Sequence, residues 1–183
     1  MKKIHCIAII GCLWLGLLMT ARAGDNTNAA AAIGVYDSRV VAYAHFWSAP
    51  YQKDLQGRMA RARAAKSAGD ADKLKEYSAA LRAEQDQAHR QVFSTAPVDD
   101  ALAAIKEHIP EIEKQAGVSA LVSKWDEKTL QAFKDARRVD VTDQLMHQFF
   151  EPTEQQSKVI ASIENQAPVP LEKCNELIRK GQL

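Results

Sequence analysis

The strongest constraint on this chain is the spacing of its strand-like stretches. One lies early, at residues 33–37, and the other two come late, at 118–125 and 138–142. In "IGVYD", Ile33 and Val35 alternate with Gly34 and Tyr36, as in a strand. In "VDVTDQL", Val139 and Val141 alternate around Asp140 before a helix start. Between the early and late stretches, residues 38–116 are patterned for helix, and no isolated short strand is stable in water. The late strands are therefore expected to pair with the early one, giving a small three-stranded sheet from which helices project. The expected class is α+β and mostly helical, with a three-stranded body and a coiled-coil-like helical hairpin.

The helical stretch divides at its breakers. Asp37 or Ser38 can cap a first helix carrying Val40, Val41, Tyr43, Ala44 and Trp47, and Pro50 kinks or restarts it. Tyr51, Leu55, Met59 and Ala62 then recur at helical spacing, and "SAGDAD" supplies a turn at Gly69 with a cap at Asp70. Leu74, Tyr77, Leu81, Ala88 and Val92 bring the apolar stripe back along a second limb. Each limb spans about 30 Å at 1.5 Å per residue, so the hairpin is long and thin. Further breaks fall at Pro97 and Pro110, and Gly117 reads as a C-terminal cap. Residues 143–150 are expected to form a helix, and 151–183 a helical extension with segments around 159–163 and 171–178.

The N-terminus reads as an export signal. Lys2 and Lys3 precede an apolar run through Met19, and Ala21-Arg22-Ala23 is a small-x-small site, so cleavage is expected between Ala23 and Gly24. Residues 24–32 read as a disordered leader. The rival processing, at Cys12 within a lipobox-like Ile9-Ile10-Gly11-Cys12, would leave a lipid anchor. Signal removal takes Lys2, Lys3 and Arg22 from the 24 basic side chains and none of the 23 acidic ones. The mature chain is then slightly acidic, which gives no basis for bulk nucleic-acid binding. It also keeps only Cys174, which cannot form an internal disulfide and reads as buried or inert.

No catalytic motif stands out, and no cofactor or metal is expected. His45, His89, His108 and His147 lack ligand spacing such as H-x-x-x-H. Asp37-Ser38-Arg39 and Asp140-Thr142-Asp143 sit where strands meet helices, so backbone capping accounts for them. Trp47 and Trp125 read as packing the body.

Strand, helical hairpin, strand, strand and helix follow one another with "IGVYDSRVV" at the start, "AGVSALVSKWD" after the return helix and "VDVTDQLMHQF" at the end. This layout, over residues 33 to about 150, resembles the Skp, or OmpH-like, periplasmic chaperones. The resemblance implies a periplasmic homotrimer whose strands share a body and whose helical arms hold unfolded outer-membrane proteins. On that reading the client-binding candidates are Tyr51, Leu55, Met59, Tyr77 and Leu81, with Arg58, Arg61, Arg63 and Lys66 as a basic fringe. The bland reading of the apolar set is packing of the hairpin against itself. The alternative function is an envelope protein with one dedicated partner, bound through the 151–183 extension.

Overall fold

A computed structural model describes residues 32–183. The expected signal peptide and its cleavage site lie outside the described residues, as does the leader up to residue 31. Among the described residues no helix is long and apolar enough to cross a membrane.

The chain is mostly helical around a small parallel sheet. Strand β1 (Ala32–Tyr36) is central, flanked by β2 (Leu121–Ser123) and β3 (Arg137–Asp140). Both pairings are parallel, with Val35 opposite Val122 on one side and Asp140 on the other. Parallel neighbours need long crossovers. Helices α1 (Ser38–Trp47), α2 (Ala49–Ser67), α3 (Ala71–Phe93), α4 (Asp99–Ala104) and α5 (Ile109–Ala116) supply one between β1 and β2, and α6 (Glu127–Ala132) carries the chain from β2 past β1 to β3. Helices α7 (Thr142–Met146), α8 (Glu154–Asn165) and α9 (Leu171–Arg179) complete the chain.

The late strands pair with the early one as the spacing requires, but they are shorter than the alternation suggests. Residues 118–120 are taken up in leaving α5. Gly117 adopts a left-handed conformation (φ 63°), the Val118 amide returns to the Glu113 carbonyl, and bonding to β1 begins at Ser119, whose amide donates to the Ala32 carbonyl (2.9 Å). Likewise α7 stops at Met146 rather than continuing to 150, because the following residues close a turn in which the Phe149 amide donates to Met146.

Strand β1 is covered on both faces, which explains its continuous apolar sequence. Ile33 packs with Val122 and Leu130 on one face. Tyr36, on the other, joins Val41, Phe46, Val98, Ala101, Ile105, Ile112, Val141 and Leu145. Gly34 is required at the centre: a Cβ there would lie 2.8 Å from Leu121 Cδ2 and 3.1 Å from Val141 Cγ2. Helix α1 is buried almost throughout, since its other side meets Met146 and Ile160. The extension therefore folds onto the body. Cys174 of α9 is buried, with its Sγ 3.7 Å from the His89 carbonyl, and burial pushes its thiol pKa up.

The helical pair α2–α3 is thin. Ala65 is the sole buried residue of α2, and Gln91 that of α3. Its turn is set by Gly69 (φ 69°) and by Asp70, whose carboxylate accepts from the Lys73 amide at 3.0 Å. Ser48 ends α1 and caps α2, with Pro50 in the first turn of α2, where its missing N–H leaves no bond unmade.

Candidate functional site

Two arrangements of side chains stand out. The first is a buried ion cluster at the carboxyl ends of the strands. Asp37, 1% exposed, follows β1 and caps α1. Its Oδ1 accepts from the Arg39 amide (3.0 Å), Arg39 Nε (3.1 Å) and Trp125 Nε1 (3.0 Å). Its Oδ2 accepts from Arg39 Nη2 (2.9 Å) and pairs with Lys124 Nζ (2.8 Å). Burial pushes this carboxyl up, but the hydrogen bonds from Arg39, Lys124 and Trp125 outweigh it and hold the pKa below the usual range. Arg39 and Lys124 also lie 4.7 and 4.9 Å from the Trp125 ring centroid. Arg39 Nη1 reaches on to the Gln166 carbonyl at the end of α8 (2.8 Å). With its lone pairs occupied by protein donors, Asp37 is placed to lock strand ends together rather than to accept a proton from a substrate.

Capping thus explains Asp37 only in part. Two of its partners, Lys124 and Trp125, lie 87 and 88 residues away, and no local pattern announces them. Asp140 behaves as its position suggests, accepting from the Thr142 amide at 2.8 Å.

The second arrangement is apolar. At the base of the arm, Leu55, Met59 and Leu81 line a groove of about 390 Å³ together with Phe46, Trp47 and Ala88. On the other side of Trp47, a groove of about 660 Å³ runs between α1, α3 and α8, lined by Tyr43, Val92, Phe93, Val159, Ile163 and Val169. Phe46, Trp47 and Ala88 belong to both. Trp47 is 53% exposed and Phe93 44%. Exposed aromatics beside grooves are the kind of surface that marks an interaction site. Trp47 therefore does not pack the interior, whereas Trp125 is half-buried against Asp37, Arg39 and Lys124. The adjacency of Phe46 and Trp47 was the available signal: neighbours on a helix point about 100° apart, and Phe46 takes the core.

The nine arm residues separate by environment. Tyr51 belongs to the body, edge-on to Phe46 with ring centroids 5.0 Å apart. Its hydroxyl donates to Glu84, and burial together with that bond raises its pKa. Arg58 pairs with the same Glu84 and with Asp54, so it pins α2 to α3. Leu55, Met59 and Leu81 come together in the smaller groove. Tyr77 is half-buried farther along α3 and outside that groove. Arg61, Arg63 and Lys66 are exposed on the distal half of α2, and among the described residues they form no ion pair.

Of the histidines, His45 is held in an aromatic cage by Phe46, Tyr51 and Phe149, and among the described residues its Nδ1 has no hydrogen-bond partner. His147 sits 3.1 Å from Glu151 at the surface. Among the described residues no group of three or more His, Cys, Asp or Glu converges as a metal site would. No family model, curated protein or solved structure matches this chain.

Proposed function

We propose that the protein is an exported, periplasmic, non-catalytic holdase that shelters unfolded outer-membrane polypeptides, as its sequence resemblance to the Skp, or OmpH-like, chaperones implies. The observation that carries this reading is the pair of apolar grooves meeting at exposed Trp47. An extended apolar segment crossing the base of the arm would bury against both grooves, and such a holdase needs no reacting group. Arg61, Arg63 and Lys66 add an electrostatic fringe whose pull weakens with salt. The homotrimer is part of the same proposal. Among the described residues, β2 and β3 each keep one edge without a strand partner, and short sheets gain stability by sharing.

The deciding experiment measures light scattering from several unrelated unfolded outer-membrane proteins, with and without near-stoichiometric purified protein. Suppression is expected, and Trp47→Ser with Phe93→Ser should abolish most of it while leaving circular dichroism unchanged, since both side chains are exposed. Unchanged aggregation with the unsubstituted protein would overturn the holdase reading. Recovery of one envelope protein in a pull-down, without general suppression, would favour the dedicated-partner alternative.

A further inference from the structure

The larger groove beside Trp47 takes one wall from the 151–183 extension. Val159 and Ile163 of α8, then Val169 and Leu183, line it together with Trp47 and Phe93. Three of the four extension residues are held there for other reasons. Val159 and Ile163 pack against the cluster of Val40, Tyr43, Met146 and Ile160, and the Val169 amide donates to the Phe93 carbonyl at 2.9 Å. Leu183 is different: it belongs to none of the buried clusters of the core and is 39% exposed.

What brings Leu183 to the groove is a fixed helix followed by a fixed turn. Helix α9 packs on α3, with Cys174 fully buried and the Asn175 side-chain oxygen accepting from Arg90 Nε at 2.7 Å. At its end Gly181 takes a left-handed conformation (φ 64°). The Gly181 amide donates to the Ile178 carbonyl and the Gln182 amide to the Leu177 carbonyl, each at 3.0 Å. These two bonds form the reversal that closes many helices. The chain is thereby turned so that Leu183 reaches the groove, while Lys180, Gly181 and Gln182 stay exposed. The rest of α9 is anchored, so this one apolar side chain covers groove surface without being locked into it. Burying part of a leucine changes an equilibrium constant only several-fold, and a longer apolar segment that covers more of the same surface outcompetes it.

We propose that Leu183 is a built-in, displaceable occupant of the larger groove, which an apolar client segment must replace in order to bind. The inference rests on the reading of that groove as a client surface, and the two are separated by using a probe that is not a client.

The purified protein is titrated with N-phenyl-1-naphthylamine, a neutral aryl dye whose emission rises on apolar surfaces, and the same preparations are assayed for suppression of aggregation. Leu183→Ser should bind the dye about three- to tenfold more tightly. Gly181→Val, which strains the left-handed turn and so redirects Leu183, should act in the same direction. In a Trp47→Ser, Phe93→Ser background the Leu183 substitution should have no effect, because the shared surface is gone. With ¹³C-labelled leucine, the Leu183 methyl signals should move toward those of an unstructured leucine as the dye saturates. Unchanged, weaker or non-saturable dye binding by Leu183→Ser would overturn the proposal. Leu183 methyl signals that stay in place at saturation would do the same, since the residue would then be a permanent part of the wall. Tighter dye binding by Leu183→Ser, with no suppression of aggregation by either protein, would keep Leu183 as the occupant and remove the client reading alone.

Discussion

The backbone N–H of Asp37 donates to the hydroxyl of Thr142 at 3.0 Å, joining residues 105 positions apart. Asp37 ends β1 and Thr142 opens α7 after β3, so this bond closes one side of the sheet. Lys124 and Trp125 close the other side through the Asp37 carboxylate. One residue thereby ties all three strand ends together.

Asp37→Asn should consequently destabilise the fold by about 3–5 kcal/mol, the scale for breaking a buried charge cluster from one side. One of the two accepting oxygens would become an amide NH2, which cannot accept from Arg39 Nη2 or Lys124 Nζ, and both cations would lose their counter-charge. Thr142→Val should cost only about 1–2 kcal/mol, because a single neutral hydrogen bond is removed. Urea unfolding at neutral pH measures both, and similar midpoints for the two variants would refute the ranking.

The same cluster sets an acid limit. A carboxyl whose pKa is lowered by folding contributes stability that is complete above its ordinary value of 3.8 and is lost as pH falls through the lower folded value. Urea midpoints should therefore drop below about pH 4, and Asp37→Asn should flatten that part of the profile.

His45 works in a milder range. Burial lowers its pKa from 6.5, against the opposing pull of Asp100 and Glu84. Its unfolded form therefore takes up a proton first, and stability should decline as pH falls below about 6.5 toward the folded value. His45→Phe keeps an aromatic ring against Phe46, Tyr51 and Phe149, so it should remove the decline between pH 7.5 and 5.5. An unaltered slope in that variant would assign the effect to another group.

The fold was largely legible because its punctuation is local. Asp37, Gly69, Asp70, Pro97, Pro110 and Gly117 each act on their own backbone, and each lies where an element begins, turns or ends. Pairing of the late strands with β1 was legible by elimination. The site was less so, because its contacts are long-range. Nothing in "SKWD" announces that Lys124 and Trp125 meet Asp37, and an apolar stripe gives no means of telling that Tyr51 stacks edge-on against Phe46 and bonds Glu84 while Leu55 only borders the groove that both line. Gly34 shows the same limit: as an alternation it reads as a strand residue, but its necessity comes from Leu121 and Val141. Gly34→Ala should cost about 1–3 kcal/mol through overpacking, offset by less than 1 kcal/mol from a stiffer unfolded chain. A raised urea midpoint would show that Leu121 yields freely.

The arm offers a way to separate reach from shelter. Its distal part carries Arg61, Arg63, Lys66 and Tyr77, whereas its base carries Leu55, Met59 and Leu81 beside Trp47. Replacing residues 61–79 by a short glycine linker would shorten both limbs together, keeping the Tyr51–Glu84–Arg58 connection and the contacts of α3 with the body. Little stability should be lost, because Ala65 is the only buried residue removed. If clients bind in the grooves at Trp47, the shortened protein should still suppress aggregation, with a weaker salt dependence because the basic fringe is gone. If instead they are clamped between distal arms, suppression should disappear although the grooves remain intact. Light scattering at low and high salt distinguishes the two outcomes, and loss of suppression at both would move the proposed client surface from Trp47 to the arm's outer half.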